Sequence, residues 1–219
     1  MRPRMLGLRP VVVPLALSLV APALAAQAVV QVAPGVAGQF VRLRAEVPGE
    51  TDLLSGAAVG VEGALMLGKL VQLEVQYLQG TLHPDSGLAG NRALTEGRVF
   101  LGLAPVRWFA LSVGPRVRSY GTAAGTERWV RWEARARAQA PIALPGLTGY
   151  VEGWRVISAS ANVPGAFDRG QGGEAGIAAR LPLGPGWWAR LAYAVDRVAL
   201  TGRRETLETV VVAIGVGLR

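Results

Sequence analysis

The sequence has no cysteine and a single histidine, His83, among its 219 residues. Without cysteine there are no disulfides, thiolate metal sites or cysteine nucleophiles. One histidine is too few for the multi-histidine zinc sites that hydrolases use. No Asp/Asn/Gly calcium loop is present either. We therefore expect neither a metal nor a cofactor.

Long apolar runs are also scarce, because the single extended one lies at the N-terminus. Arg2, Arg4 and Arg9 precede the apolar run VVVPLALSLVAPALA, whose end, Ala23-Leu24-Ala25, has small residues at the two positions that signal peptidase reads. Ala26-Gln27-Ala28 is a second candidate. This layout predicts a secretory signal peptide over residues 1–26, followed by a short segment, 27–35. Three of the 23 basic residues and none of the 15 acidic residues leave with the signal peptide, so the net charge falls from +8 to +5. An exported protein meets little DNA, so we expect no nucleic-acid partner.

What the chain has in abundance is alternation of apolar residues with polar or small ones. In 70–79, for example, Val71, Leu73, Val75 and Tyr77 alternate with Gln72, Glu74 and Gln76. The predicted strands lie near 37–47, 57–67, 70–79, 93–104, 106–120, 129–140, 147–160, 171–182, 187–198 and 205–218. Soluble strands average about 5 to 6 residues, whereas a strand that crosses a membrane needs about 9 to 11. The pattern predicts an all-β protein, an antiparallel up-and-down transmembrane β-barrel over 36–219. It has about ten strands, with eight to twelve possible because the segments near 37–47 and 147–160 are weak.

The predicted connections suggest two different ends of the barrel. Short ones at 67–69, 104–106, 141–146 and 182–186 alternate with longer or more polar ones at 48–54, 80–93, 120–126, 160–170 and 199–204. Membrane barrels have short periplasmic turns and long outer loops, so both termini are expected on the periplasmic side. Trp108, Trp129, Trp154, Trp187 and Trp188 lie near the predicted strand ends, which suggests an aromatic girdle at the membrane interface.

The segment WVRWEARARAQA, 129–140, carries the most regular charge. A helix there would spread Arg131, Glu133 and Arg135 around its circumference, whereas a strand separates them from Trp132 and the alanines. Alternation alone fits a soluble sandwich as well as a membrane barrel. Glycine and alanine beside the charges favour a narrow lumen, where long side chains interleave with small ones and each buried charge needs a partner. The charged residues predicted to line this lumen are Glu62, Glu74, Glu96, Arg98, Arg116, Arg118, Arg131, Glu133, Arg135, Arg137, Glu152, Glu174, Arg180, Arg190 and Asp196.

Stretches such as MLGKLVQLEVQYLQG and LPLGPGWWARLAYAVD resemble the turn-then-strand units of small outer-membrane β-barrel proteins of Gram-negative bacteria. The resemblance covers roughly residues 36 to 219 and rests on pattern, not on a specific motif. It implies a location in the outer membrane, contact with its lipid, and insertion by the barrel assembly machinery. Members of this class typically finish on an aromatic residue, whereas this sequence finishes on Leu218 and Arg219.

No catalytic motif accompanies the pattern. Omptins, ten-stranded surface proteases, use His and Asp near the barrel rim, but His83 with Asp85 matches no omptin motif. The carboxylates Glu62, Glu74, Glu152 and Glu174 are better explained as partners of the arginines than as a hydrolytic pair.

We therefore expect a non-enzymatic barrel, either structural or a narrow channel that prefers anions because arginine lines it. Two alternatives remain open at this stage. One is an exported soluble β-barrel or sandwich that binds a small ligand, and the other is a barrel-embedded hydrolase. The sequence does not determine the oligomeric state.

Overall fold

The computed structural model describes residues 30–87, 90–123, 125–184 and 186–218. The predicted signal peptide, 1–26, lies outside the described residues. The strands are β1 Val30–Val47, β2 Glu50–Leu67, β3 Val71–Ser86, β4 Arg92–Val106, β5 Phe109–Thr122, β6 Gly125–Pro141, β7 Leu147–Ala161, β8 Phe167–Arg180, β9 Trp187–Leu200 and β10 Arg203–Val216. Among the described residues, no helix is long and apolar enough to cross a membrane.

The ten strands form one closed antiparallel barrel in which sequence neighbours pair and β1 pairs with β10. This confirms the predicted fold class and strand number. β1 begins at Val30, which pairs with Leu67 of β2, so residues 30–35 belong to the barrel wall. The sequence did not reveal this extension because Pro34 and Gly35 interrupt the alternation there.

The two faces of the wall differ as the period of two requires. The outer face is apolar, with side chains such as Phe40, Val59, Leu101, Val151 and Val212 exposed. The inner face carries charged, small and some apolar residues. An exposed apolar belt around a closed barrel is the surface that a lipid bilayer requires.

The predicted asymmetry between short turns and long loops is wrong. We call the end that carries Val30 and Leu218 the terminus end, and the other the distal end. At the distal end β1 stops at Val47 and β2 starts at Glu50, while β3 continues to Ser86. The polar stretches predicted as loops alternate too: Leu82 is buried while its neighbours Thr81 and His83 are exposed. Much of each stretch therefore extends a strand, although 162–166 between β7 and β8 remains a loop.

The predicted aromatic girdle is wrong for three of its five tryptophans. Trp108 and Trp187 are exposed at the terminus end. Trp129 and Trp154 are buried inside the barrel, and Trp188 packs against an inner cluster of Ala37, Leu78 and Ala213. Nearness to a strand end does not determine which face of the wall a tryptophan occupies, and these three lie on the inner face.

Candidate functional site: the barrel interior

Strand β6 crosses the whole interior and shows how it is layered. Its inward residues, taken from the distal end, are Glu127, Trp129, Arg131, Glu133, Arg135 and Arg137. They belong in turn to a distal rim of ion pairs, an apolar layer, a central ionic layer and a chamber near the terminus end. Because every second side chain of a strand points inward, a single strand supplies residues to all of these layers.

The distal rim consists of two ion-pair groups. The Arg203 guanidinium lies 2.7 Å from carboxylate oxygens of both Glu127 and Glu205. Arg92 lies 3.3 Å from Asp52. These inward charges were not predicted from the sequence, because most of them lie in predicted loops or just outside the predicted strands. Their spacing along the strands indicated the inner face. Arg92 precedes Glu96 by four positions in β4, and an even spacing places both side chains on the same face.

Below the rim, apolar side chains fill the barrel. The layer consists of Val41, Leu43, Leu54, Ala58, Leu82, Leu94, Tyr120, Trp129, Val198, Leu200 and Leu207, all buried. This layer was not predicted from the sequence either. Leucines such as Leu82 and Leu94, at alternate positions where the rest of the strand is polar, indicated it. A packed layer of this kind excludes water from the distal half of the lumen.

The central layer is organised around Asp196 of β9. One of its carboxylate oxygens, Oδ2, lies 2.8 Å from Arg131, 3.1 Å from Arg118 and 3.6 Å from Arg116. Its other oxygen accepts a hydrogen bond of 3.3 Å from Trp154 Nε1. One carboxylate from β9 therefore ties together arginines of β5 and β6 across the lumen.

Two further carboxylates complete this layer. Glu96 lies 2.7 Å from both Arg116 and Arg118. Glu133 is fully buried and lies 3.2 Å from Arg131 and 2.6 Å from Arg135. The layer thus contains the close-packed pairs that low dielectric demands of buried charges.

Arg135 connects the central layer to the chamber. Its guanidinium lies 2.7 Å from Glu152 and stacks over the rings of Phe100 and Trp154, 4.0 Å and 4.9 Å from their centroids. Such stacking stabilises a desolvated guanidinium.

The chamber is a cavity of about 280 Å³ between the central layer and the terminus end. Arg190 lies 2.6 Å from Glu62 and 2.9 Å from Glu174, and the Tyr150 hydroxyl donates a 2.6 Å hydrogen bond to Glu174. Glu74 is hydrogen-bonded to Gln72. The charged residues that line the cavity are Glu62, Glu74, Arg98, Arg137, Glu152, Glu174 and Arg190.

Three predicted lumen residues differ from the simple picture of paired charges. Arg137 stacks over Tyr150 at 3.9 Å from its centroid, and neither Arg137 nor Arg98 forms an ion pair with any described residue. Arg180 lies at the terminus-end tip of β8, where it is exposed. Alternation along the strands predicted the side of the wall on which these arginines lie but not their partners.

Small inner residues make room for the large ones. A Cβ added to Gly176 would lie 2.7 Å from the Tyr150 hydroxyl, and one added to Gly172 would lie 2.4 Å from the Trp154 ring. Each aromatic ring therefore covers a glycine on the adjacent strand. This is the interleaving that a narrow interior requires.

His83 lies apart from the interior. It is exposed on the outer face, and its Nδ1 is 3.2 Å from Asn91 Oδ1. Beside it, the Ser55 hydroxyl donates to Asp85 at 2.8 Å. Within the described parts of the chain, no three His, Cys, Asp or Glu residues are grouped to hold a metal ion.

No family model and no curated protein sequence match this chain. Solved structures of outer-membrane β-barrels resemble it in fold, among them the following two. The translocator domain of the autotransporter NalP from Neisseria meningitidis aligns with a TM-score of 0.50 at 12% identity, over 90% of this chain and 92% of that domain. The outer membrane protease OmpT from Escherichia coli aligns with a TM-score of 0.52 at 8% identity, over 86% of this chain and 95% of that protein.

At such identities the likeness shows the fold alone. The belt of exposed Val, Leu, Ile and Phe side chains independently requires a lipid environment. This chain therefore has the fold of bacterial outer-membrane β-barrels and resides in that membrane, with lipid against its outer face.

Proposed function

We propose that this protein is a closed structural barrel of the outer membrane that conducts no solute. The observation that carries the proposal is the stacking of the apolar layer directly on the central ionic layer. Leu43, Leu54 and Leu82 have no exposed surface in the first, and Arg131 and Glu133 have almost none in the second. A passing ion would have to displace both layers.

Charge balance argues against an anion channel. Arg116, Arg118, Arg131 and Arg135 are matched by Glu96, Glu133 and Asp196 of the central layer and by Glu152 of the chamber. Anion preference requires an excess of unpaired positive charge at the constriction. The arginines there are occupied by carboxylates, so their role is structural.

The proposal also assigns no enzymatic activity. The carboxylates that face the chamber are engaged with arginine, tyrosine or glutamine, and the single histidine lies on the opposite face of the wall. A soluble ligand-binding barrel is disfavoured by the outer face, because a soluble protein turns its apolar side chains inward. We further propose that the barrel assembly machinery inserts this chain, as the membrane-barrel fold requires an insertion route.

Single-channel recording in planar bilayers tests the proposal. The purified wild-type protein is expected to give no conductance steps. A variant that removes both layers, Leu43→Gly, Leu82→Gly, Arg131→Ala and Asp196→Ala, is expected to conduct. A matched fourfold change on the lipid face, Val59→Ala, Val61→Ala, Leu101→Ala and Val212→Ala, should stay silent. Heat-dependent gel migration checks that each variant is folded, and ion conduction by the wild type would refute the closed barrel.

A further inference from the structure

The outer face changes character abruptly on one side of the barrel. On β1 the exposed Val36 and Phe40 are followed by the outward Arg42. On β9 the exposed Leu191 and Tyr193 are followed, after Val195, by Arg197. Arginine therefore marks the distal edge of the apolar belt on these strands.

A third arginine lies within the belt itself. Arg155 of β7 is exposed on the outer face, with Val151 on one side along the strand and Ile157 on the other. Its cross-strand neighbour on β8 is the exposed Gln171. A charged group on the lipid face is costly, so it requires a partner within reach of its long side chain.

The protein itself has few carboxylates close enough to neutralise these outward arginines. Among the described residues, Arg42, Arg155 and Arg197 form no ion pair. Arg169 of β8 has only the exposed Asp168, at 3.9 Å. Glu208 of β10 lies opposite Arg42 in the register but is not within ion-pair distance of it. We call Arg42, Arg155, Arg169 and Arg197 the basic band.

The band is confined to one side of the molecule. On β2, β4 and β5 the outward residues near the same edge are uncharged and hydroxyl-bearing, namely Ser55, Thr95 and Ser119, and β3 carries Thr81, His83 and Asp85 there. A general preference for positive charge at the interface would place arginine all round. Outward arginines at this edge lie on β1 and β6–β10, where Arg44, Arg128 and Arg204 accompany the band, and none lies on β2–β5. This one-sided distribution points to a localised ligand.

We propose that the basic band binds the phosphate groups of a phosphorylated glycolipid headgroup. Guanidinium groups bind phosphate through a planar pair of N–H donors and retain their charge at any physiological pH. The arginines meet the hydrocarbon belt at its edge, which is where a lipid presents its phosphates while its acyl chains cover Phe40, Leu191 and Tyr193. Arg155 lies deeper in the belt, and its long side chain extends along the wall toward the distal edge to reach the same phosphates. The proposal is independent of whether the lumen conducts.

Lipid binding to the detergent-solubilised, folded full-length protein tests this site. The probes are diphosphorylated lipid A, its dephosphorylated form, and inorganic phosphate. The wild type is expected to bind the diphosphorylated lipid, more weakly at high salt, and to bind neither of the others. The variant Arg42→Gln, Arg155→Gln and Arg197→Gln should bind about a hundredfold more weakly, from roughly fivefold for each basic residue near an anionic surface.

The matched control makes the same charge change at the terminus end, away from the band: Lys69→Gln, Arg107→Gln and Arg180→Gln. It should retain wild-type affinity. Equal losses in both triple variants would show a nonspecific charge effect and overturn the site. Equal binding of the dephosphorylated lipid, or binding of inorganic phosphate with lipid-like affinity, would also overturn it.

Discussion

Asp196 illustrates at the residue scale why the interior is ionic and yet closed. A carboxylate with three guanidinium groups within 3.6 Å and an indole N–H at 3.3 Å has its charge more than matched locally. Removing one member of a buried group leaves the remaining charges uncompensated, which costs far more than the pair contributes. Asp196 is therefore the position where a single change does most harm.

We predict that Asp196→Asn lowers the free energy of unfolding by about 3 to 5 kcal/mol, because Arg116, Arg118 and Arg131 lose their shared counter-charge. Urea unfolding in lipid vesicles, followed by gel migration, measures the change. Asp168→Asn is the control, since Asp168 is largely exposed and its nearest guanidinium atom is 3.9 Å away. If the two variants unfold at the same urea concentration, the central layer does not stabilise the barrel.

Sequence patterning located the inward charges but not their contacts. The alternation around Arg131 and Glu133 predicted the correct face, because a strand offers only two. It did not reveal that Arg137 stacks on Tyr150 while Arg135 pairs with Glu152. Those choices depend on the register between β6 and β7 and on side chains from distant strands, which no local pattern encodes.

At the scale of the element, strand interiors were predictable and strand ends were not. Alternation in β6 and β9 is strong enough to place both faces. At the start of β1, glycine and proline conceal the pairing with β2, and in β3 a polar sequence continues as strand to Ser86. Backbone pairing with a neighbouring strand decides these cases, and hydrophobicity does not report it.

The β7–β8 pairing is the shortest in the barrel wall. It joins Leu147–Arg155 of β7 to Gln171–Ala179 of β8, although β7 continues to Ala161 and β8 begins at Phe167. The distal part of β7 is paired with β6 but not with β8. Its backbone groups on that side lack ladder partners.

We predict that amides of Val156–Ala161 exchange with deuterium faster than those of Val117–Gly121 in β5, because local opening follows the unpaired edge. The β5 segment is the control, since it pairs with both β4 and β6. Hydrogen–deuterium exchange of the membrane-embedded protein, read by mass spectrometry of peptides, makes the comparison. Equal protection of the two segments would contradict faster local opening at the unpaired edge of β7.

At the scale of the whole molecule, alternation leaves open what fills the lumen. The same pattern describes an open pore and a plugged barrel, because both need polar inner faces. The apolar layer appears only when the distal leucines of β2, β3 and β4 meet Trp129 and Leu200 from the other side of the barrel. Closure is thus a property of the assembled wall and not of any one strand.

We predict that raising salt to about 1 M changes the unfolding midpoint of the barrel little. Salt screens exposed charges strongly but buried pairs weakly, and the central pairs are buried. The control is glycolipid binding by the basic band in the same preparation, which salt should weaken. A large loss of stability in salt would mean that water and ions reach the central layer.

The pairing of β1 with β10 imposes an order of events on biogenesis. Gly35 pairs with Gly215 and Glu46 with Arg204, so the first strand, already paired with β2, lacks its second neighbour until the last strand has been delivered. Contacts so distant in sequence form slowly, and until then β1 and the most recently added strand are open edges that attract other chains. The nascent protein therefore needs protection from aggregation throughout its passage to the membrane. The barrel closes in a single event at the end, when β1 pairs with β10.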